Sequence, residues 1–507
     1  MRHSLCLSLL LPALLALLSP GLPGGEDDFL RPIGKPLEAK AQRRQGGESF
    51  PPLPLPATPL RRSEKKRPPS PTALIGKVIW GGYLDFTMED GSVERVFDWN
   101  MVPAEVQQLL QLVRRTMKLE YTWRAIDLGS FSGSPAELPM LYFSGGRRIA
   151  FTPDERAKLR RYILSGGTIL LDAVAGSPYF FESALLEART ILPEAPIQLV
   201  SDDHALYRMV SAQATVKING QDSRPNFYGA YVGPRLALIV CPFGLGAGWD
   251  NATPTLIAEA KTIDAKDAQQ LGLNIVAYAI GWFDTGQAIA AGTPSADAPA
   301  ANPDRILFAQ LKTSGIWNAT PGAESRLMAF LARNNRVDTG VAPVHVDAAV
   351  DTLAPYPFLY LSGIGDFKLE QAAVAALRRY LDEGGFLIVN NTLGMNPFDA
   401  AATRLFQSLY PEERLQRLTA TDPLFTNGPY RFDASGFSDA AIVKYPDAAV
   451  PLLYGIRSQD DSRWLMLYSP VDMASGWLGS AHPGSVDYDN STALRLGADI
   501  VFYCITH

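Results

Sequence analysis

At 507 residues, with 47% hydrophobic and 19% charged side chains, the chain has the composition of a folded protein of two or three domains, not a disordered one. Its formal net charge of −6 is small for this length, so no global field draws in nucleic acid.

The first 25 residues read as a secretory signal peptide. Arg2 and His3 supply a short positive start, and Leu5 to Leu18 form an apolar run interrupted only by Ser8 and Pro12. That run falls short of the roughly 20 apolar residues a bilayer span needs. No A-x-A cleavage site follows, which leaves an uncleaved anchor as the alternative. No other stretch is apolar enough to cross a membrane. The chain is therefore expected to be exported to the periplasm or cell envelope of a bacterium, with no membrane span after signal removal. Cys241 and Cys504, the cysteines left after the signal, lie in different halves and read as buried thiols.

Residues 26–73 change character. "PPLPLPATPLRRSEKKRPPSP" combines proline with Arg61, Arg62, Lys65, Lys66 and Arg67 and has no helical or strand period. Such a segment favours extended polyproline II and reads as a basic tether.

From Trp99 to Tyr207 the chain matches its own later part at a constant offset of 218. Trp99-Asn100 meets Trp317-Asn318, Ser144-Gly145 meets Ser362-Gly363, and Gly166-Gly167 meets Gly384-Gly385. Beyond that stretch the offset drifts, but Gly248-Trp249 still matches Gly476-Trp477. A repeat of this length predicts two domains, 74–286 and 305–507, joined by the Ala- and Pro-rich linker 287–304.

Each copy alternates buried strands with helices. "LPMLYFSG" and "TILLDA" are short, almost wholly apolar runs. Between them "TPDERAKLRRYILSGG" predicts a helix: Thr152 caps it, Pro153 takes its first position, and Glu155 completes a capping box. Leu159, Tyr162 and Ile163 form its inward face, with Ala157 at one edge, while Arg160 and Arg161 point to water. Repeated strand–helix–strand units predict an α/β fold, each domain a mostly parallel sheet with helices on both faces.

In such a sheet, ligands sit outside the carboxyl ends of the strands. The polar residues there are Ser144, Gly145 and Asp172 in the first copy, and Ser362, Gly363, Asn390 and Asn391 in the second. With Trp99, Asn100, Trp249, Trp317, Asn318, Asp472 and Trp477 they are the candidate ligand-binding residues. Packing is the competing role for the Gly-Trp pairs.

The segments "WNATP", "YPFLYLSGIGDF", "LRRYLDEGGFLIVNN", "DPLF" and "YSPVDMASGW", with weaker versions in the first copy, resemble domain of unknown function 4159. That group is placed with the class I glutamine amidotransferase-like, flavodoxin-like folds. The resemblance implies two tandem domains of that kind. It also implies envelope partners: relatives often accompany von Willebrand factor A-type membrane proteins and a MoxR-like ATPase. The family pattern has a histidine after the first strand, where Gly146 and Ile364 stand. It has paired acids at the second tip, where Asp172-Ala173 and Asn390-Asn391 stand. It also has an acid before Gly-Trp, kept as Asp472 and replaced by Gly244.

An amidotransferase needs a cysteine on the strand-to-helix elbow, activated by histidine. Residues 172–175 and 390–393 contain none, so amide-transfer chemistry is excluded on the residues. Asp202, Asp203 and His204 read as a polar turn and not a metal site; Asp460 and Asp461 read as a hairpin turn. No G-x-G-x-x-G opens a helix, and no cofactor or metal is expected. The reading is a non-catalytic envelope protein that binds a protein or polymer. The alternative is a hydrolase of a glycan or peptide using Asp172 or Asp472.

Overall fold

The computed structural model describes residues 25–34, 72–254, 257–291, 305–340, 342–432, 436–460, 462–480 and 482–506. The signal-peptide reading, most of the tether, residues 292–304 of the linker and Asp461 lie outside the described residues.

The first half contains β1 (Ala73–Ile79), β2 (Tyr83–Thr87), β3 (Val93–Phe97), β4 (Thr122–Asp127), β5 (Met140–Gly145), β6 (Thr168–Ala173), β7 (Gln198–Leu199), β8 (Val216–Ile218), β9 (Gln221–Ser223), β10 (Tyr228–Val232) and β11 (Arg235–Cys241). Its helices are α1 (Glu105–Met117), α2 (Pro153–Leu164), α3 (Pro178–Ile191), α4 (Gly246–Trp249), α5 (Ala265–Gly281) and α6 (Phe283–Ala291). The second half contains β12 (Ala309–Leu311), β13 (Val344–Val346), β14 (Leu359–Gly363), β15 (Leu387–Asn391), β16 (Gln416–Arg417), β17 (Tyr454–Arg457) and β18 (Trp464–Ser469). Helices α7 (Ala323–Phe330), α8 (Gln371–Asp382), α9 (Asn396–Leu409), α10 (Pro423–Thr426), α11 (Asp439–Lys444), α12 (Ala474–Leu478) and α13 (Asn490–Thr506) complete it.

Each half forms a seven-stranded sheet of the same topology, β4-β1-β5-β6-β11-β10-β7 and β13-β12-β14-β15-β18-β17-β16. The first five strands of each are parallel, and the sixth runs antiparallel to both its neighbours. The expected tandem α/β architecture is thus observed. Buried strands alternate between two cores. Met140 and Tyr142 of β5 pack with α1 and α5, whereas Leu141 and Phe143 pack with α2 and α3. The second domain repeats the division with α7 and α13 on one face and α8 and α9 on the other.

Helix α2 begins as its sequence predicts. Thr152 Oγ1 accepts from Glu155 N at 3.3 Å, and Thr152 N donates to Glu155 Oε2 at 2.8 Å. The Arg160 side chain is solvent-exposed as expected, and from that surface position it also bonds Ile191 O and Glu194 at and beyond the end of α3. The duplicated glycine pair that ends α2 and α8 has two separate causes. Gly166 and Gly384 adopt φ of +102° and +110°. At Gly167 and Gly385 a Cβ would meet the ring of Tyr162 or Tyr380 at 2.3 Å. Those tyrosines tie helix to strand through Leu138 O and Tyr356 O.

The two domains share a core. Ile364, Leu393 and Met395, at the strand tips of the second domain, join the first domain's cluster around Leu206, Tyr207 and Trp282. The first domain's own tips are covered differently. Phe29, Leu30 and Ile33, within the segment assigned to the tether, pack on Met101, Val102, Val174, Ala175 and Ala247. The equivalents of Ile364, Leu393 and Met395 are Gly146, Ala175 and Ser177, small enough to admit that segment; a Cβ on Gly146 would lie 2.1 Å from Phe29 O.

Candidate functional site

The parallel strands bring the predicted tip residues together, but beneath the surface. In the first domain Asp172, at the end of β6, is fully buried. It accepts hydrogen bonds from Leu245 N (2.9 Å), Gly246 N (2.9 Å) and the Tyr142 hydroxyl (3.0 Å). That hydroxyl lies 3.0 Å from Glu105 as well, and Ser144 Oγ donates to Glu105 at 2.9 Å. Glu105 in turn pairs with Lys77 at 2.8 Å, and Lys77 also donates to Asn100 Oδ1 (2.7 Å) and Val102 O (3.1 Å). Burial and the neighbouring Glu105 push Asp172 up to about 7. This is a buried, interconnected network of two carboxylates, one ammonium, one phenol and one hydroxyl.

The second domain builds the same place with other residues. Asn390, matching Asp172, accepts from Met473 N at 2.8 Å, as Asp172 accepts from Leu245 N. The carboxylate comes from the neighbouring loop. Asp472 accepts from Asn390 Nδ2 (2.9 Å), Ala474 N (2.9 Å), Leu393 N (3.0 Å) and the Ser475 hydroxyl. What reads in the sequence as two incomplete polar sets is one carboxylate per domain at the strand-tip seam, Asp172 from one side and Asp472 from the other. The side-chain space at Gly244, where Asp472 stands in the other copy, faces Ala175 N at 2.8 Å.

The cation also differs. Register against β5 and β14 places Gln310 where Lys77 stands. Gln310 Nε2 donates to Trp317 O at 3.0 Å and Ser362 Oγ at 3.3 Å. The acid of this layer, Glu324, is fully buried with neither oxygen bonded, and burial with the Asp472 charge pushes it up to about 7.

The elbows after β6 and β15 keep a backbone that side chains rarely adopt, with φ of 56° at Ala175 and 64° at Leu393. Neither residue carries a nucleophilic atom. Asn391 closes the second elbow by bonding Met395 N and O at 2.9 and 3.0 Å.

The remaining predicted residues divide. Trp249 and Trp477 are packing residues, their Nε1 atoms donating to Ala268 O and Ala493 O at 2.9 Å each. Gly145 and Gly363 are buried. Trp99 is half-buried, with Lys77 Nζ 5.5 Å from its ring centroid; Trp317 is half-buried beside His345, and Asn318 is exposed. Asp202, Asp203 and His204 diverge: Asp202 pairs with Arg224, Asp203 accepts from Asn396 N, and His204 Nδ1 caps the turn by accepting from Leu206 N. Asp460 accepts from Ser458 and Ser462 in the β17–β18 turn. Among the described residues no cluster of three His, Cys, Asp or Glu side chains is placed to hold a metal. Within the same limits no helix is long and apolar enough to cross a membrane.

Sequence reasoning missed Lys77, Glu105, Tyr142 and Glu324 as members of the polar layer. The repeat holds a clue for one of them only, since Tyr142 and Tyr360 align. It also missed a cleft of about 1130 Å³ where the domains meet. Helix α11 with residues 479, 480 and 482–490 of the second domain forms most of its wall, and Asp203, Arg208 and Met209 of the first domain complete it. His482 is only 5% exposed, and among the described residues neither ring nitrogen has a partner in hydrogen-bond geometry. Its ring packs 5.2 Å from Trp282 of the first domain.

The family described as a domain of unknown function (DUF4159) matches the chain twice, over residues 92–280 and 307–505. No curated protein matches it. The two matches fall one on each sheet and cover well over half of the sequence. The chain thus belongs to the DUF4159 family, as two tandem copies of its domain.

Proposed function

We propose that the protein is an exported, non-catalytic binding protein of the bacterial cell envelope, whose strand tips hold the two domains in shape while the partner docks elsewhere. One observation carries the reading: Asp172 and Asp472 are wholly buried and saturated by backbone and side-chain donors. A general acid or base has to reach a substrate proton within hydrogen-bond distance. The apolar cap of Phe29 and Leu30 over one tip, and the first domain's core over the other, stand in the way. The leader and basic tether in the sequence supply the argument for export.

The rival reading is a carboxylate-dependent hydrolase of a glycan or peptide. Its support is Asp172, held near 7 beside a second acid. The same two groups are accounted for as the internal ties of β5, β6, α1 and α4.

Tagged full-length protein, cross-linked in intact envelopes and then purified, should carry a specific protein or polymer with it. Recovery of nothing beyond what an unrelated exported protein recovers would remove the binding reading.

A further inference from the structure

The interdomain cleft is not a symmetric product of the duplication. In the first domain the matching position is lined by Asn219, Thr262 and Asp264, in a cleft of about 480 Å³. Bridges fix the correspondence: Gly244 pairs with Thr262, and Asp472 pairs with Asp487. Asp487 is therefore a carboxylate placed where the other copy has a threonine. His482 stands on the same loop, and among the described residues neither its ring nitrogens, which have only the Ser480 backbone near them, nor the buried Ser485 hydroxyl meets a partner in hydrogen-bond geometry. Buried polar atoms without partners cost free energy unless something satisfies them, so these groups point to a ligand.

The charge of the cleft narrows the class of ligand. Both of its cations are already engaged. Arg208 donates to Asp203 O and Gly484 O, and Lys444 donates to Gly394 O at 2.8 Å and Asn396 Oδ1 at 3.0 Å. Counting Asp203, the lining holds four acids, Asp203, Asp439, Asp487 and Asp489, against these two cations. Asp439, Asp487 and Asp489 line the same wall, and no ion pair is formed by any of the three among the described residues. Asp439 and Asp489 stand at the starts of α11 and α13, where an acid suits the helix dipole. Asp487 has no such role. Phe437, Met209 and Pro483 line apolar parts of the cleft, and Val443 is an exposed apolar residue at it. Residues 35–71 carry nine Lys and Arg against three Asp and Glu, a net +6, which leaves −12 for the rest of a chain whose total is −6.

We propose that this cleft receives a cationic peptide segment of the partner, with a lysine or arginine side chain directed at His482, Ser485 and Asp487. An ammonium offers three donors and a guanidinium five, and the site offers only acceptors and amphoteric groups to meet them. The aliphatic stem of such a side chain matches the apolar wall. This inference rests on the binding reading above and names the partner's chemistry.

The test uses full-length protein and a fluorescein-labelled tetralysine peptide followed by anisotropy, with tetraglutamate and maltotetraose as comparison ligands. Tetralysine should bind saturably and weaken as salt is raised. Burial and the Asp472 charge push Asp487 up to about 8, so the comparison is made at pH 9, where Asp487→Asn should weaken binding at least about tenfold, as expected for loss of a charge-assisted bond. Asp439→Asn, at an exposed position that leaves the fold alone, should weaken it about threefold. Glu412→Gln, an exposed acid outside the cleft, should change nothing. Unaltered tetralysine affinity in both aspartate variants, or binding of maltotetraose in place of tetralysine, overturns the proposal. A partner from intact envelopes that cross-links at the cleft through a neutral or acidic segment overturns it too, while sparing the binding reading. Capture of no partner removes the binding reading and leaves the tetralysine result standing as a property of the cleft.

Discussion

The carboxylates of the two polar layers show how much one side chain depends on what faces it. Asp472 is buried but accepts four bonds, two from backbone N–H groups and two from the Asn390 and Ser475 side chains, so its oxygens are satisfied. Glu324 is equally buried and accepts none. Its pKa rises from 4.5 to about 7 because burial and Asp472 both oppose ionisation. A carboxyl whose folded pKa exceeds its unfolded value binds more protons in the native state between the two. Stability from this group is present below about pH 4.5 and is lost as pH rises toward 7. Glu324→Gln removes that dependence while keeping shape. The variant should match the parent at pH 4 in urea unfolding and exceed it by about 2–3 kcal/mol at pH 8. Equal stability at both pH values would mean that Glu324 has a donor in solution. None of this was legible in the sequence. Glu324 follows no motif, and its relation to Tyr360 and Asp472 exists only once α7 packs against α12 and α13.

Helices and strands were more readable, for local reasons. The start of α2 is written in four consecutive residues, Thr152 to Glu155, and its end in a Gly-Gly pair whose two members answer separate needs. Strands β5 and β6 are recognisable because a parallel strand buried on both faces is apolar throughout. The bonds of Arg160 to the end of α3 were not legible, because helical periodicity reports which face is inward, not whether a long outward side chain reaches a neighbouring helix. Helix α11 and the β8–β9 hairpin were not predicted; they occupy matching places and are where the repeat loses its offset. The duplication supplies an internal control for the cap. Thr152 bonds the first turn of α2, but Glu370, at the same point of α8, makes no side-chain cap bond. Thr152→Ala should cost about 1 kcal/mol in urea unfolding, whereas Glu370→Ala should cost almost nothing. Equal losses would mean that the cap geometry contributes no stability.

At the scale of the whole molecule the repeat is a poor guide to how its copies are joined. Two domains of one topology suggest beads on a linker, yet α6 already occupies residues assigned to that linker, and the second domain's tips are buried in the first domain's core. Trp282 is the pivot. It is fully buried, stacks on Tyr278 at 5.4 Å, packs on His482 at 5.2 Å and donates from Nε1 to Pro483 O at 3.2 Å. Ile364, Leu393 and Met395 would be exposed if the second domain stood alone, a loss of roughly 1.5–3 kcal/mol for each side chain returned to water. Neither domain can therefore unfold without stripping apolar surface from the other, and calorimetry of the intact chain should show one coupled transition. Trp282→Ala leaves a cavity at the seam and should cost about 3–5 kcal/mol. Because Trp282 belongs to the first domain's core as well as to the contact, the variant's transition should split in two, the first domain melting before the second. A parent protein that already melts in two well-separated steps would show that the shared core does not couple the domains. The cleft beside His482 would then be a gap between independent bodies, not a built site.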